Sequence, residues 1–443
     1  IRDSSWLVSG AELSPINVTA ARLGSCFAFA LLVFTMCEFV RRHFDVPTAV
    51  LAGVALMLMP RVVGHARIAA LETTTTLAWF VACIPLFTWW TRDKPPTTRH
   101  CLISGLLWGV LMLTKVQGIL LPPVVCVWAL YRFRFHALRP LTVWGFMGAG
   151  VFFLGWPWLW LDPVGHTLQY LGNAAERPTL YVWYFGQRFA DRDVPWHYPF
   201  VMTAITVPLL IFGLMITRLC QQRLERAEQI LLATVVFPMV VFAIPGTPIY
   251  DGTRLFLIVM PGVALLAARG FVRLANQFAG VRRKFCWAVT SLFAVLPLSQ
   301  VCQPFALDSY SLLAGRESGA EWLGMEAGYW ADGLNGDFWN QVPENASIVV
   351  APVSHQVQLT AMAEFVPAAQ VRNIKLQPFY YNPQQQRGLT LLIHRLADLP
   401  PALRTAPDGA GVIAEVRLNR VVLCRLVDTT SGTWETIPPW PGD

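Results

Sequence analysis

Three ionisable residues stand where a hydrophobic sequence should carry none. Glu72 opens an apolar run behind Gly64-His65-Ala66-Arg67-Ile68-Ala69-Ala70-Leu71, Lys115 interrupts another run, and Arg254 closes Tyr250-Asp251-Gly252-Thr253 ahead of a third. An ion in hydrocarbon is costly, so such charges mark a site or a polar cavity by default. A carboxylate there can take or orient a proton, and a lysine can meet a lipid-borne phosphate as a compact point charge. Each has an ordinary alternative: Glu72 as a helix N-terminal acid, Lys115 as a snorkelling lysine, Arg254 as an interfacial anchor or the ion-pair partner of Asp251. His65, Arg67, Arg188, His197, Tyr250 and Asp251 are further candidates for lining the same site, with structural or headgroup-facing roles as the alternative. Tyr181, Trp183, Tyr184 and Trp196 suit an interfacial aromatic belt or sugar stacking.

The elements that must carry these residues are apolar runs of bilayer length. A helix of about 20 apolar residues crosses a hydrocarbon core of about 30 Å because its backbone polar groups are satisfied within the segment. Candidate spans fall at 20–40, 46–60, 68–90, 101–114, 118–131, 141–161, 198–217, 229–245, 255–273 and 285–303, and the runs stop near Pro304. The composition, 55% hydrophobic and 14% charged with 18 Trp, agrees with a polytopic membrane protein. The net charge of +7 is uneven: residues 304–443 carry 9 Lys/Arg against 14 Asp/Glu, so the excess lies in the membrane part and a nucleic-acid surface is excluded. No P-loop, dinucleotide glycine fingerprint or His/Cys metal cluster appears, which removes support for a nucleotide-fuelled pump or a redox enzyme. Seven of the nine cysteines lie in or beside apolar runs, leaving Cys302 and Cys424 as the one conceivable disulfide. Asn17-Val18-Thr19 and Asn345-Ala346-Ser347 match glycosylation sequons, a pattern short enough to arise by chance.

Charge asymmetry orients the chain. If 101–131 is two helices broken at Thr114-Lys115-Val116-Gln117-Gly118, sixteen basic residues from Arg41 to Lys284 share one side and seven (Arg61, Arg67, Lys115, Arg177, Arg188, Arg192, Arg254) the other. The richer side is cytoplasmic. This gives ten spans over residues 1–303, an extracytoplasmic loop at 162–197 and an extracytoplasmic tail at 304–443. Runs such as Ser347–Ala351, Leu389–His394 and Val412–Val427 read as strands, so the tail is expected to be a small α/β domain below an all-α membrane domain.

Several stretches resemble one family. Ala21-Arg22-Leu23, Gly64-His65-Ala66 with Ala70-Leu71-Glu72, Gly105 to Gly118 through Leu113-Thr114-Lys115, Pro195-Trp196-His197-Tyr198, Tyr250 to Arg254 ahead of Pro261, and Tyr310 to Trp330 are similar to integral-membrane glycosyltransferases of the C-type superfamily. Among them, bacterial relatives of dolichyl-phosphate-mannose protein mannosyltransferases and of the lipid A aminoarabinose transferase match best. The resemblance implies transfer of a sugar from a polyprenyl-phosphate donor to an acceptor hydroxyl of a protein, lipid or polysaccharide on the extracytoplasmic face of a bacterial inner membrane. It implies no nucleotide and leaves a divalent metal open. Glu72 stands where the family usually has Asp, and the longer side chain leaves its role open between orienting the acceptor, holding a metal and neither. Lys115 and Arg254 match positions near the donor phosphate. The family's principal acid lies in a loop after the first helix, which is expected to precede Ile1, so the chain reads as truncated. A transporter, a lipid flippase and a catalytically degenerate relative are the rival readings.

Overall fold

The computed structural model describes residues 18–175, 179–221, 223–328, 331, 334, 336–353, 359, 372–379 and 388–430. Asn17, Arg177, Tyr329 and Trp330, invoked above, lie outside them. The chain forms two compact units, Ser25–Tyr329 and a second comprising Trp330–Asp443 with Ile1–Gly24.

Local sequence decides where each helix of the first unit stops. Helix α1 (Val18–His43) ends on His43 just past Arg41 and Arg42, two cations suited to the negative end of a helix. Asp45 caps α2 (Val46–Met57) by accepting from Thr48 N at 2.7 Å. Pro60, whose missing N–H is harmless in a first turn, opens α3 (Pro60–Ala66) at 72° to α2. Helix α4 (Leu71–Thr88) carries Glu72 in its first turn. Thr97 caps α5 (Thr98–Thr114), which the chain leaves at Lys115 with an extended backbone, φ −166° and ψ 152°.

A short 3-10 turn, Val116–Leu120, then leads into α6 (Leu121–Phe133). Trp128 Nε1 donates to Trp90 O at 2.9 Å and Arg132 Nη2 to Arg92 O at 3.4 Å, so the far end of α6 lies beside the entry to α5. The two form a hairpin with Lys115 at its tip, as the two-helix reading requires. Helix α7 (Leu138–Gly155) packs closely on α5 through glycines: a Cβ on Gly105 would lie 2.5 Å from Trp144 O, and one on Gly109 2.7 Å from Gly148 O. Only small residues allow backbones this near, the usual device where the hydrophobic effect cannot drive helices together.

The expected loop at 162–197 is largely structured. It contains α9 (Pro163–Ala175), which follows the single turn α8 (Trp158–Leu161), and an antiparallel hairpin of β1 (Tyr181–Tyr184) and β2 (Gln187–Ala190). Helices α10 (Tyr198–Thr206) and α11 (Leu209–Cys220) meet at 119° around Val207-Pro208. Helix α12 (Arg226–Ala243) starts in a capping box of Glu225 and Glu228. A 3-10 stretch, Arg254–Val259, leads into α13 (Met260–Asn276), which is buried along most of its length and forms the centre of the unit. Helix α14 (Gly280–Cys302) lies on the flank, with Val295 and Leu298 exposed, and α15 (Arg316–Trp322) follows in the same unit.

Six helices among the described residues are long and apolar enough to cross a bilayer, or eight if the bent pairs α2–α3 and α10–α11 each count as one span. The expected ten is not confirmed: α5 has only 17 residues, and α6 and α7 register as one stretch. The protein is nonetheless polytopic and integral to a membrane. Exposed Phe27, Phe34, Val127, Phe146 and Leu154 give its flanks the apolar surface that lipid demands. The ends of the bundle separate the charges. Near the entry to α5, Arg226 and Arg132 pair with Asp93, while Arg269 bridges Glu225 at 2.9 Å and Glu228 at 3.0 Å. Arg218 Nε also donates to Glu228 Oε1, at 2.9 Å, with both side chains fully buried.

The second unit holds α16 (Gly336–Gln341) and a five-stranded mixed sheet, β3 (Ser347–Ala351), β4 (Lys375–Pro378), β5 (Leu389–Ile393), β6 (Gly411–Leu418) and β7 (Val421–Asp428), in the order β4-β3-β5-β7-β6. Strand β3 is parallel to both its neighbours, and β7 antiparallel to its own. The expected α/β tail is thus present, with β4 added. Cys302 and Cys424 are both free thiols, Cys302 exposed in the first unit and Cys424 buried in the second. Burial holds His394, just beyond β5, down at about 4, against an ordinary 6.5. The unfolded chain therefore binds a proton that the folded one resists, and the associated stability, complete above pH 6.5, is lost as pH falls towards 4. Hydrogen exchange in β5 and β7 of the whole protein, corrected for intrinsic rate, is expected to speed up over that window, and His394→Gln to remove the dependence. An identical profile in the variant would contradict this.

Candidate functional site

The tip of the α5–α6 hairpin, the first turn of α4 and the 3-10 entry to α13 converge on one carboxylate. Glu72 Oε1 accepts from Lys115 Nζ at 2.9 Å and from Arg254 Nε at 2.6 Å. Arg254 Nη1 also donates to Asp251 Oδ2 at 2.9 Å, and its guanidinium lies 5.9 Å from the centre of the Tyr250 ring. Glu72 is 1% exposed, while Lys115 and Arg254 are 20% and 25% exposed, so the anion is sealed behind two cations that still reach the surface of the site. Asp251 takes a left-handed backbone, φ 55°, followed by Gly252 at 63°; this Asp-Gly turn brings Asp251 back onto Arg254.

Lys115 has a second face. It lines a cavity of about 520 Å³ with Thr114, Val116, Trp156 and Tyr170. The Trp156 and Tyr170 rings meet edge to face, centroids 4.9 Å apart. Among the described residues the ammonium makes no hydrogen bond besides that to Glu72, and with three donors it has two to offer. Sequence reasoning passes over both aromatics, because Trp156 lies within the apolar run 141–161 and Tyr170 falls in a stretch that reads as loop. The Trp-rich stretch Trp156-Pro157-Trp158-Leu159-Trp160 was the available signal.

The remaining candidates divide. His65 is buried within electrostatic reach of Glu72, Arg254, Arg61 and Asp251, so it belongs to the cluster's surroundings. Arg67 turns away, donating to Gln303 O at 2.9 Å and Val301 O at 2.5 Å, carbonyls at the end of α14. The Arg188 guanidinium lies 3.4 Å over the Tyr181 ring of its own hairpin, and His197 Nδ1 shares a 2.7 Å hydrogen bond with Tyr184 OH. That hairpin is tied to the approach to Tyr250 by Ile249 N, which donates to Asp191 O at 2.9 Å. Arg61, counted above only as a basic residue, is buried, donates to Ser309 O at 3.1 Å and covers the Tyr310 ring at 4.6 Å. Among the described residues no group of three His, Cys, Asp or Glu is placed to hold a metal ion.

Glu72, Lys115 and Arg254 thus form one cluster, and Lys115 joins it to an aromatic-walled cavity. Residues 5–160 match the dolichyl-phosphate-mannose-protein mannosyltransferase family. The likeness to membrane glycosyltransferases thus holds over a stretch that includes His65, Arg67, Glu72, Lys115 and Trp156. Arg254 and Asp251 lie beyond it and join these residues through the tertiary fold. Two solved structures are similar at low identity: ArnT from Cupriavidus metallidurans bound to undecaprenyl phosphate (15% identity, TM-score 0.44, covering 92% of this chain and 83% of that one) and the same protein in the apo state (14%, 0.45, 93% and 84%). No curated protein matches.

Proposed function

We propose that this protein transfers a sugar from a polyprenyl-phosphate-linked donor to an acceptor hydroxyl at the extracytoplasmic face of the bacterial inner membrane. The observation that carries the reading is the convergence of Lys115 and Arg254 on Glu72, with Lys115 also lining the aromatic-walled cavity. Glycosyl transfer breaks the bond between the anomeric carbon and the phosphate oxygen while the acceptor oxygen attacks, so charge builds on the departing lipid phosphate. Two cations already in place stabilise that charge without reorganising. Glu72, which holds both through Oε1, acts as the positioning residue. Its Oε2 is buried and makes no hydrogen bond among the described residues, so the carboxylate serves the cations rather than the surface of the site. Trp156 and Tyr170 offer the sugar flat apolar faces.

Two measurements test this. Protein reconstituted in vesicles with a radiolabelled polyprenyl-phosphate sugar is expected to consume the donor and release polyprenyl phosphate in a Lys115-dependent manner. Movement of intact donor across the bilayer without cleavage would favour the flippase reading instead. In a cysteine-free background, Asp193→Cys in the extracytoplasmic loop is expected to react with an impermeant maleimide applied outside intact cells, while Lys94→Cys near the entry to α5 stays protected until the cells are broken. Both positions are exposed on the protein itself, so equal labelling would defeat the orientation.

A further inference from the structure

We infer that the angle between the α10–α11 kink and α14 holds a bilayer phospholipid with an anionic headgroup, one acyl chain in the cavity there and the phosphate at Arg316. The cavity, about 300 Å³, runs between Leu209 and Leu210 just past the kink and Val289, Leu296 and Pro297 on α14. The 119° bend creates the gap, since Pro208 prevents α10 from continuing straight into α11. Its walls are apolar and its flank faces hydrocarbon, with Leu209 43% and Leu296 45% exposed. The volume sits at the lower bound for ligand sites of about 300 Å³, which suits a single chain rather than a many-chained lipid.

Only one end of the cavity is polar, formed by Gln300, Ser311 and Arg316. Gln300 is occupied, donating to Tyr310 O at 2.8 Å and Glu317 Oε1 at 2.9 Å. Arg316 pairs with Glu317 Oε2 at 3.8 Å, too far for a hydrogen bond, so its Nε makes none among the described residues, and its side chain is 37% exposed. The backbone is constrained to hold it there: Gly315 and Arg316 are both left-handed, φ 74° and 60°, with Arg316 N donating to Ser311 O at 3.0 Å. A non-glycine residue in that conformation is strained, and such strain persists where the surroundings require it. Arg316 follows the C-terminus of α14, the end that Arg67 joins to the start of α4, so it lies at the depth where headgroups meet the bundle. An acyl chain leading up to a cation with donors to spare describes an anionic phospholipid. The cavity shares no lining residue with the Lys115 cavity, and the inference stands independently of sugar transfer.

The test is retention of lipid by the whole protein in native mass spectrometry, with phosphatidylglycerol and phosphatidylcholine offered at equal concentration. Wild type is expected to retain phosphatidylglycerol preferentially. Arg316→Gln should lower that preference about fivefold, the weight of one basic residue at an anionic surface. Arg316→Lys, which keeps the charge, should preserve it and so separate charge from misfolding. Leu296→Trp, which fills the cavity, should reduce retention of both lipids. Equal retention by wild type, an unchanged preference in Arg316→Gln, or full retention in Leu296→Trp would each overturn the assignment. So would displacement of the bound phosphatidylglycerol by polyprenyl phosphate, which would make the cavity a donor site.

Discussion

If the protein transfers sugar as proposed, replacing Arg254 with alanine is expected to lower the rate about 10²–10³-fold, the usual cost of losing one preorganised donor to a developing anion. The protein remains folded, because Glu72 keeps its 2.9 Å bond to Lys115. Lys115→Ala behaves alike, and since both cations act on one charge, the double variant loses less than the product of the two. Glu72→Gln has a different signature. It removes the anion from between two cations, which are left to repel each other, so stability falls along with activity. Thermal unfolding beside initial transfer rates distinguishes the two patterns. Unchanged turnover in both Arg254→Ala and Lys115→Ala would remove them from the site, and Glu72→Gln at the parent rate and stability would leave the carboxylate an ordinary first-turn acid.

Gly105→Leu is expected to prevent accumulation of folded protein, and even Gly105→Ala to lower stability by at least about 1–3 kcal/mol, the range for overpacking. The added Cβ would lie 2.5 Å from Trp144 O, a backbone atom that cannot swing aside, so α5 and α7 must separate. Their separation would carry Lys115 at the end of α5 away from Glu72, and the residual folded fraction should bind donor poorly. Gly150→Ala on α7 is the control. A Cβ there meets nothing within 4 Å, and alanine's better helix propensity should leave stability unchanged or raised by about 0.5–1 kcal/mol. Equal thermal stability of Gly105→Ala and Gly150→Ala would show that the close approach of the two helices carries no weight.

The Lys115 cluster shows how far sequence reasoning reached. Glu72, Lys115 and Arg254 stand out because charge in apolar sequence is costly, and Asp251 as a possible ion-pair partner of Arg254; the structure joins all four. The same rule also flagged Arg67 and Arg188, which serve the end of α14 and a neighbouring ring. Cost identifies a charge that needs a partner. It does not say whether that partner is a substrate, a helix terminus or an aromatic face.

What the sequence determined by itself is what depends on neighbours along the chain. The apolar runs, the charge asymmetry of the connections and the break at Lys115 follow from hydrophobic length, basic residues and local backbone preference, and the structure carries helices where those runs lie. The strands of the tail came from local alternation, apart from β4, whose four residues are too few to show a pattern. Only the tertiary structure decided which charges meet. Lys115 and Arg254 reach Glu72 across separations of 43 and 182 residues, and Arg61 reaches Ser309 across 248. Contacts over such distances are set by how whole helices pack, by the glycines that bring α5 against α7 and the prolines that bend α2–α3 and α10–α11. A glycine needed for close approach and one facing open space are the same letter until the neighbouring helix is in place.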